Sequence, residues 1–373
     1  MAFDNVFRGA RVLVTGHTGF KGSWLCEWLL KLGAEVHGMA LAPDTKPALF
    51  DELGLSQRVH HHVGDLRDAQ WTRQTLQHIA APFVFHLAAQ PLVRLSYLDP
   101  LGTMASNVMG TLHLLEALRQ SGQTCTLVVV STDKCYRNLE HGQPYGEEDQ
   151  LGGHDPYSAS KAAMELVLDS YRRSFFATQR PLRVAAASAR AGNVIGGGDW
   201  AQDRLLPDAI RALRSGMAIE VRNPASTRPW QHVLEPLSGY LLLAARLFQA
   251  QQAGSGIDPT PLCAAFNFGP DAGEERCVAD LITEVLGHWP GQWRDASAKQ
   301  APHEAGRLSL SARKAQELLQ WRPVWGFSQG VEQSVAWYRQ HADNPVLSAR
   351  LTREQIDLYT HRAAQLGLPW ATS

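Results

Sequence analysis

Residues 11–33 constrain this chain more than any other stretch. Arg11-Val-Leu-Val-Thr15 is a short β-rich run. The glycines Gly16, Gly19 and Gly22 follow it in "VTGHTGFKGSW", and from Ser23 to Leu32 the residues Trp24, Leu25, Trp28, Leu29 and Leu32 recur at helical spacing until Gly33 closes the helix. A strand that feeds a helix through so tight a turn opens a parallel sheet. The rhythm continues with strands over 34–41, 59–63, 83–89, 126–131 and 182–189, and with helices over 70–79, 103–119 and 156–175. The expected fold is α/β, a Rossmann-type doubly wound parallel sheet with a smaller C-terminal substrate-binding lobe. Residues 1–190 form the nucleotide-binding domain, 232–268 return to it, and 191–231 with 269–373 make the lobe, including helices near 278–289 and 311–320.

In such a fold the ligand crevice lies beyond the carboxyl ends of the strands. The first glycine permits the turn, the second lets backbone approach a pyrophosphate, and the third brings helix and strand close, with the helix N-terminus facing the anion. Gly16, Gly19 and Gly22 are thus expected to bind a dinucleotide. Lys21, within the same loop, reads either as a charge near the phosphates or as a solvated surface residue.

Net charge narrows the partners. With 35 basic and 36 acidic residues among 373, bulk electrostatics favour neither nucleic acid nor an anionic membrane. No apolar run is long enough to span a bilayer, the N-terminus lacks the features of a signal peptide, and the five cysteines are scattered without CxxC spacing. Reduced thiols and a cytoplasmic location are expected. His60-His61-His62 alternate faces in an extended segment with no acid or cysteine at ligand spacing, so they read as a solvated strand edge and no metal is expected.

Two further patterns carry chemistry. "DPYSASKAAMELV" sets Tyr157 and Lys161 one helical turn apart on one face. A tyrosine is a poor base at neutral pH, but a nearby ammonium and an oxidised nicotinamide both favour its phenolate. "STDKCY" follows the apolar run that ends at Val130, so Thr132, Asp133 and Lys134 arrive together at a strand exit. The bland alternative is a surface ion pair at a loop.

The GxxGxxG spacing, "GDLRD", "HLAAQ", "SNVMGT" and Tyr-x-x-x-Lys, in this order, resemble the extended, sugar-nucleotide-modifying short-chain dehydrogenase/reductase superfamily. The resemblance covers most of the chain. It implies NAD, held by the glycine loop with Phe20, by Asp65 and Leu66 after the third strand, by Leu87, Ala88 and Ala89 after the fourth, and by Tyr157 and Lys161. It makes Asn107 structural, Tyr157 the acid/base, Lys161 a ribose ligand and Thr132 a holder of the reacting hydroxyl. One family feature is missing: "AEVHGMALAP" brings no acidic residue to the end of the second strand, where a carboxylate would accept the ribose hydroxyls, and no arginine replaces it.

Within the superfamily, an acid and a second charged residue at this strand exit resemble the nucleotide-sugar 4,6-dehydratases, and "TDK" resembles those acting on CDP-glucose. The implied chemistry oxidises C4 of the glucosyl ring, removes the acidified C5 proton, expels the C6 hydroxyl as water and returns hydride to C6. Two extra proton transfers call for two extra groups. Asp133 would be the acid toward the C6 oxygen. Lys134 would be a base if neutral, or an ammonium stabilising the enolate while another group acts as base. "HLAAQPLVRLSY" and "ARAGNVIGGGDWAQDRLLPD" look like the substrate segments of the CDP-glucose enzymes. Gln90, Arg94, Asn193, Arg204, Arg228 and His303 are accordingly expected to bind CDP-glucose. Helices 103–119 and 156–175 correspond to a pair that forms a homodimer interface in the family. The rival readings are another 4,6-dehydratase or a 4-epimerase on the same fold and, in a different class, a non-catalytic NAD-binding sensor or scaffold.

Overall fold

The computed structural model describes residues 2–140, 142–178, 182–297 and 306–372. Its centre is a seven-stranded sheet. Strands β1 (Arg11–Thr15), β2 (Glu35–Ala40), β3 (His60–Val63), β4 (Phe83–His86), β5 (Cys125–Val130) and β6 (Val184–Ala191) are joined by a last strand, Ala265–Phe268. The spatial order is last strand, β6, β5, β4, β1, β2, β3, with every pairing parallel.

Both faces of the sheet are covered, which is why its strands read as continuous apolar runs. Val12 and Val14 of β1 enter the core on one face, with Trp24, Trp28 and the C-terminal helices, while Leu13 enters the core on the other, with Leu76, Leu114 and Leu168. On the first face lie α1 (Phe20–Lys31) and, across β5 and β6, the buried helix Leu234–Gln251. β6 is rich in alanine because that helix packs directly on it: Ala185, Ala187, Ala189 and Ala191 all point into the shared core. The opposite face carries helices Ala69–Ile79, Gly110–Ser121 and Pro156–Tyr171.

The sequence-predicted helix 103–119 is three pieces. Pro100–Met104 runs into a π-turn, Ala105–Met109, before Gly110–Ser121 resumes α geometry. The π-turn contains Asn107, whose side chain accepts from Gln90 N (2.7 Å) and donates to Gln90 O (3.1 Å) and Ser160 Oγ (2.8 Å). A tertiary demand thus overrides helical regularity, as is common for π-bulges near functional sites.

The last helices, Phe327–Asp343 and Ser348–Gln365, pack back toward the sheet. Arg353 and Arg58 both bind the fully buried Glu27 of α1, at 2.7 and 2.6 Å. Trp28 meets Tyr359 edge to face at 5.8 Å, and Phe3 stacks on Trp370 at 4.8 Å, so the two ends of the chain meet on this face. Glu235 accepts from Val324 N, Trp325 N and the Tyr359 hydroxyl, and its burial raises its pKa to about 7. Among the described residues no helix is long and apolar enough to cross a membrane.

Candidate active site

A cleft of ≈ 1110 Å³ opens beyond the carboxyl ends of the strands. It lies where the strand order reverses between β1 and β4, the position expected for a ligand in an open α/β sheet.

On its cofactor side the cleft is made of backbone. Gly16 has φ +71°, and a Cβ there would lie 2.7 Å from Ala88 N. A Cβ on Gly22 would meet Gly16 O at 2.2 Å, so the third glycine is what allows α1 to start against the loop. A Cβ on Gly19 would meet nothing nearer than Gly16 O at 3.5 Å; that glycine faces the open cleft. α1 starts at Phe20, three residues earlier than the apolar spacing indicates, and no side chain caps its first turn. Uncapped N–H groups at a helix N-terminus facing a cleft suit a pyrophosphate.

The remaining dinucleotide residues converge on the same cleft. Asp65, Leu66, Leu87, Ala88 and Ala89 line it with Phe20. Asp65 accepts from Arg67 N and Arg67 Nε, both at 2.8 Å, and these bonds hold its carboxyl below the usual range. The end of β2 carries no acid, as read from the sequence, but Asp44, beyond that strand, lines the cleft as well. These residues fit a dinucleotide.

On the other side the site is made of charged side chains. β5 ends at Val130, Ser131 N continues the ladder to Ala189 O at 2.8 Å, and residues Asp133–Cys135 make a tight 3-10 turn. Thr132 caps that turn: its Oγ1 accepts from Lys134 N (3.3 Å) and donates to Asp133 Oδ1 (3.0 Å). Lys134 Nζ stands 3.5 Å from both Asp133 Oδ1 and Asn193 Oδ1. The surface ion pair considered from sequence is therefore half wrong, because Asp133 is fully buried while Lys134 is only partly exposed. Asp133 is also one layer behind the cleft wall. Its Oδ2 is buried without a hydrogen-bond partner among the described residues and lies beside Gly192, 3.2 Å from where a Cβ would be.

The turn is held from beneath. Tyr136 is buried and donates to Asn267 Oδ1 at 2.8 Å, while Arg190 donates to the Tyr136 hydroxyl at 2.8 Å. Arg190 in turn forks onto Glu165 at 3.0 and 2.9 Å. Glu165 sits one turn beyond Lys161 on helix Pro156–Tyr171, so a single buried ion pair ties the strand exit to that helix.

The helix begins at Pro156, with Asp155 accepting from Ser158 N at 2.9 Å as its cap. Tyr157 and Lys161 both line the cleft. Burial pushes the Tyr157 phenol well above its ordinary value; a hydrogen bond with Thr132 and the nearby Arg204 charge pull it back, and Asp133 opposes them. Burial lowers Lys161 to about 8, against the pull of Glu165, and its Nζ donates to Val130 O at 3.3 Å.

The sequence-predicted substrate residues divide. Asn193, Arg204 and Arg228 line the cleft. Arg204 is held by Asp199 at 2.8 Å, and Arg228 donates to Thr227 O at 2.9 Å. Arg94 lies at the rim, where it and Arg222 share Asp203 at 3.3 and 2.8 Å. Gln90 also borders the cleft, but its side chain is engaged with Thr103 and Leu92 N, so it shapes the loop. His303 lies outside the described residues.

Lys21 is not the solvated lysine of one reading. Its Nζ donates to the Tyr240 hydroxyl at 3.5 Å, and burial with the charges of Arg204 and Lys161 lowers it to about 7. Asp199, Asp203 and Arg222 were not identified from sequence. The first sits in "GGGDW", where only its pairing with Arg204 distinguishes it from a loop aspartate.

Comparison with known proteins agrees with this geometry. The profile of the GDP-mannose 4,6 dehydratase family matches residues 13–250. The chain is 44% identical over 345 residues to a CDP-glucose 4,6-dehydratase of Salmonella typhimurium, covering 91% of this chain and 93% of that protein. Among solved structures it is similar to a dTDP-glucose 4,6-dehydratase from Streptomyces venezuelae with NAD bound (TM-score 0.74, 25% identity, 90% of this chain and 99% of that one). It is also similar to a UDP-glucose 4-epimerase from Thermus thermophilus in complex with NAD (TM-score 0.73, 27% identity, 88% and 99% covered).

Proposed function

Because the chain belongs to the GDP-mannose 4,6 dehydratase family, we propose that it is a CDP-glucose 4,6-dehydratase, an NAD-dependent hydro-lyase that turns CDP-glucose into CDP-4-dehydro-6-deoxyglucose and water. The observation that carries this reading is the grouping of Thr132, Asp133 and Lys134 against Tyr157 at one strand exit, in a chain so similar to a CDP-glucose 4,6-dehydratase.

The glycine loop, Asp65, the Leu87–Ala89 backbone and Lys161 would hold NAD, which would supply the hydride acceptor for C4 and the hydride donor for C6. Tyr157 takes the proton of the C4 hydroxyl, which Thr132 helps to hold. The Thr132 hydrogen bond and the Arg204 charge favour the phenolate against the cost of burial. Lys134, whose Nζ stands 3.5 Å from both Asp133 Oδ1 and Asn193 Oδ1, either takes the C5 proton as a free amine or, as an ammonium, stabilises the enolate while another group takes that proton. Asp133, when protonated, is the proton source for the departing C6 oxygen: it gives its proton to the Thr132 hydroxyl, which passes its own on, reversing the bond in which Thr132 donates to Asp133 Oδ1. Asn193, Arg204 and Arg228, with Arg94 at the rim, bind the nucleoside diphosphate, a role suited to guanidinium forks.

The five free cysteines suit the reducing cytoplasm. Leu98 and Leu101 are exposed at 83% and 82%, and Leu166 on the neighbouring helix at 61%. These exposed leucines, two of them just before helix 103–119 and one on helix 156–175, support a homodimer through that helix pair, which sedimentation on dilution tests directly. The activity is tested by incubating the protein and NAD with CDP-, dTDP- and GDP-linked hexoses and following product mass. Loss of water from CDP-glucose alone is expected. A product of unchanged mass would make the protein an epimerase, and no product from any donor would favour a sensor.

A further inference from the structure

A second group of functional side chains lies at the opposite end of β2 from the cleft. β3 is the edge strand, and its parallel pairing aligns His60 with His37 and His62 with Met39. Alternate residues share a face, so Glu35, His37, His60 and His62 project together. From sequence the histidine run had no acid at ligand spacing; the acid comes from the neighbouring strand, which linear spacing does not reveal.

The donor atoms are spaced as in a ligand set. Glu35 Oε1 is 2.9 Å from His37 Nε2 and 3.8 Å from His60 Nε2, and one donor atom from each of the three lies within 4.8 Å of the others. Zinc bonds of about 2.0–2.1 Å in a tetrahedron separate neighbouring ligand atoms by about 3.3 Å, between the two measured distances. His37 stacks on His60 with ring centroids 4.3 Å apart and planes 17° from parallel, so the exposed His60 ring must turn about its side-chain torsions for its in-plane lone pair to meet an ion held by His37. On its other side His37 Nδ1 meets His62 Nε2 at 3.4 Å, which orients the ring as an outer partner does for a ligating histidine. The side chains of His60 and Glu35 are 61% and 43% exposed and that of His37 is 10% exposed, giving an open rim over a fixed floor. Arg11 Nε also reaches Glu35 Oε1, at 3.4 Å, but its guanidinium is anchored to Ile79 O at 2.7 Å.

We propose that Glu35, His37 and His60 form a binding site for a divalent transition-metal ion of the zinc type, with solvent in the fourth position. The ion would clip the edge strand β3 to β2. The site is remote from the reacting groups, since the cleft takes only the carboxyl-terminal end of β2, at Ala40.

The test is titration of chelator-stripped protein with Co²⁺, followed by visible absorption and by competition with Zn²⁺. One equivalent with the strong bands of tetrahedral cobalt is expected. His60→Ala and Glu35→Gln, both at exposed positions, should each weaken binding by more than about tenfold, the loss seen when only an outer partner is removed. His361→Ala, at an exposed position elsewhere, should leave it unchanged. Zn²⁺ should raise the melting temperature of the wild type and not that of His60→Ala. Equal affinity in His60→Ala and wild type, or an equal loss in His361→Ala, would overturn the site.

Discussion

The exits of β1 and β5 lie on the same edge of one sheet, with β4 between them, yet they are built on opposite principles. At β1 the chain removes side chains: Gly16 and Gly22 leave no room for a Cβ, and the binding groups are N–H groups and a helix end. At β5 it does the reverse and buries polar side chains, with Asp133 fully enclosed and the turn tied to the sheet through Tyr136, Arg190 and Glu165. Binding a large anion that stays through the cycle suits fixed backbone. Moving protons between neighbouring atoms requires groups that titrate, and those are costly to bury unless anchored. Substitutions at the β1 exit should therefore alter cofactor affinity, while those at the β5 exit should separate chemistry from folding.

Tyr157→Phe gives the largest expected effect. Removing the acid/base hydroxyl should lower turnover about 10³-fold, roughly 4 kcal/mol of barrier, with little change in melting temperature. The check is the single-turnover absorbance of reduced nicotinamide; a normal first hydride transfer would remove Tyr157 from the mechanism. Glu165→Ala comes next, because it leaves Arg190 buried and unpaired. A stability loss of about 3–5 kcal/mol is expected in urea unfolding, and a loss below about 1 kcal/mol would mean that the β5 exit is not anchored this way. Gly16→Ala comes last: it adds about 1–3 kcal/mol of backbone strain and presses a Cβ to within 2.7 Å of Ala88 N in the cofactor wall. It should appear mainly as weaker NAD binding in a titration, with turnover at saturating NAD close to wild type. If turnover fell and affinity held, the contrast between the two exits would fail.

The parts of this molecule that depend on local pattern were legible in the sequence. Strand–helix alternation, the glycine loop and the Tyr157–Lys161 step all follow from short-range spacing. What escaped depends on long-range contact. The π-turn at Ala105–Met109 answers to Gln90 and Ser160, and helix Leu205–Arg214 was hidden among glycine- and proline-rich segments. The Glu35–His37–His60 group exists only through strand register, and Asp133 lies behind Thr132 only because Tyr136, Arg190 and Glu165 fix the turn.

The central claim is that the charged strand exit serves the elimination of water, and Asp133→Asn tests it most directly. With CDP-glucose and NAD, the account predicts that C4 oxidation proceeds while water loss slows about 100-fold, so reduced nicotinamide accumulates on the enzyme. Dehydration at the wild-type rate, with no accumulation, would contradict it.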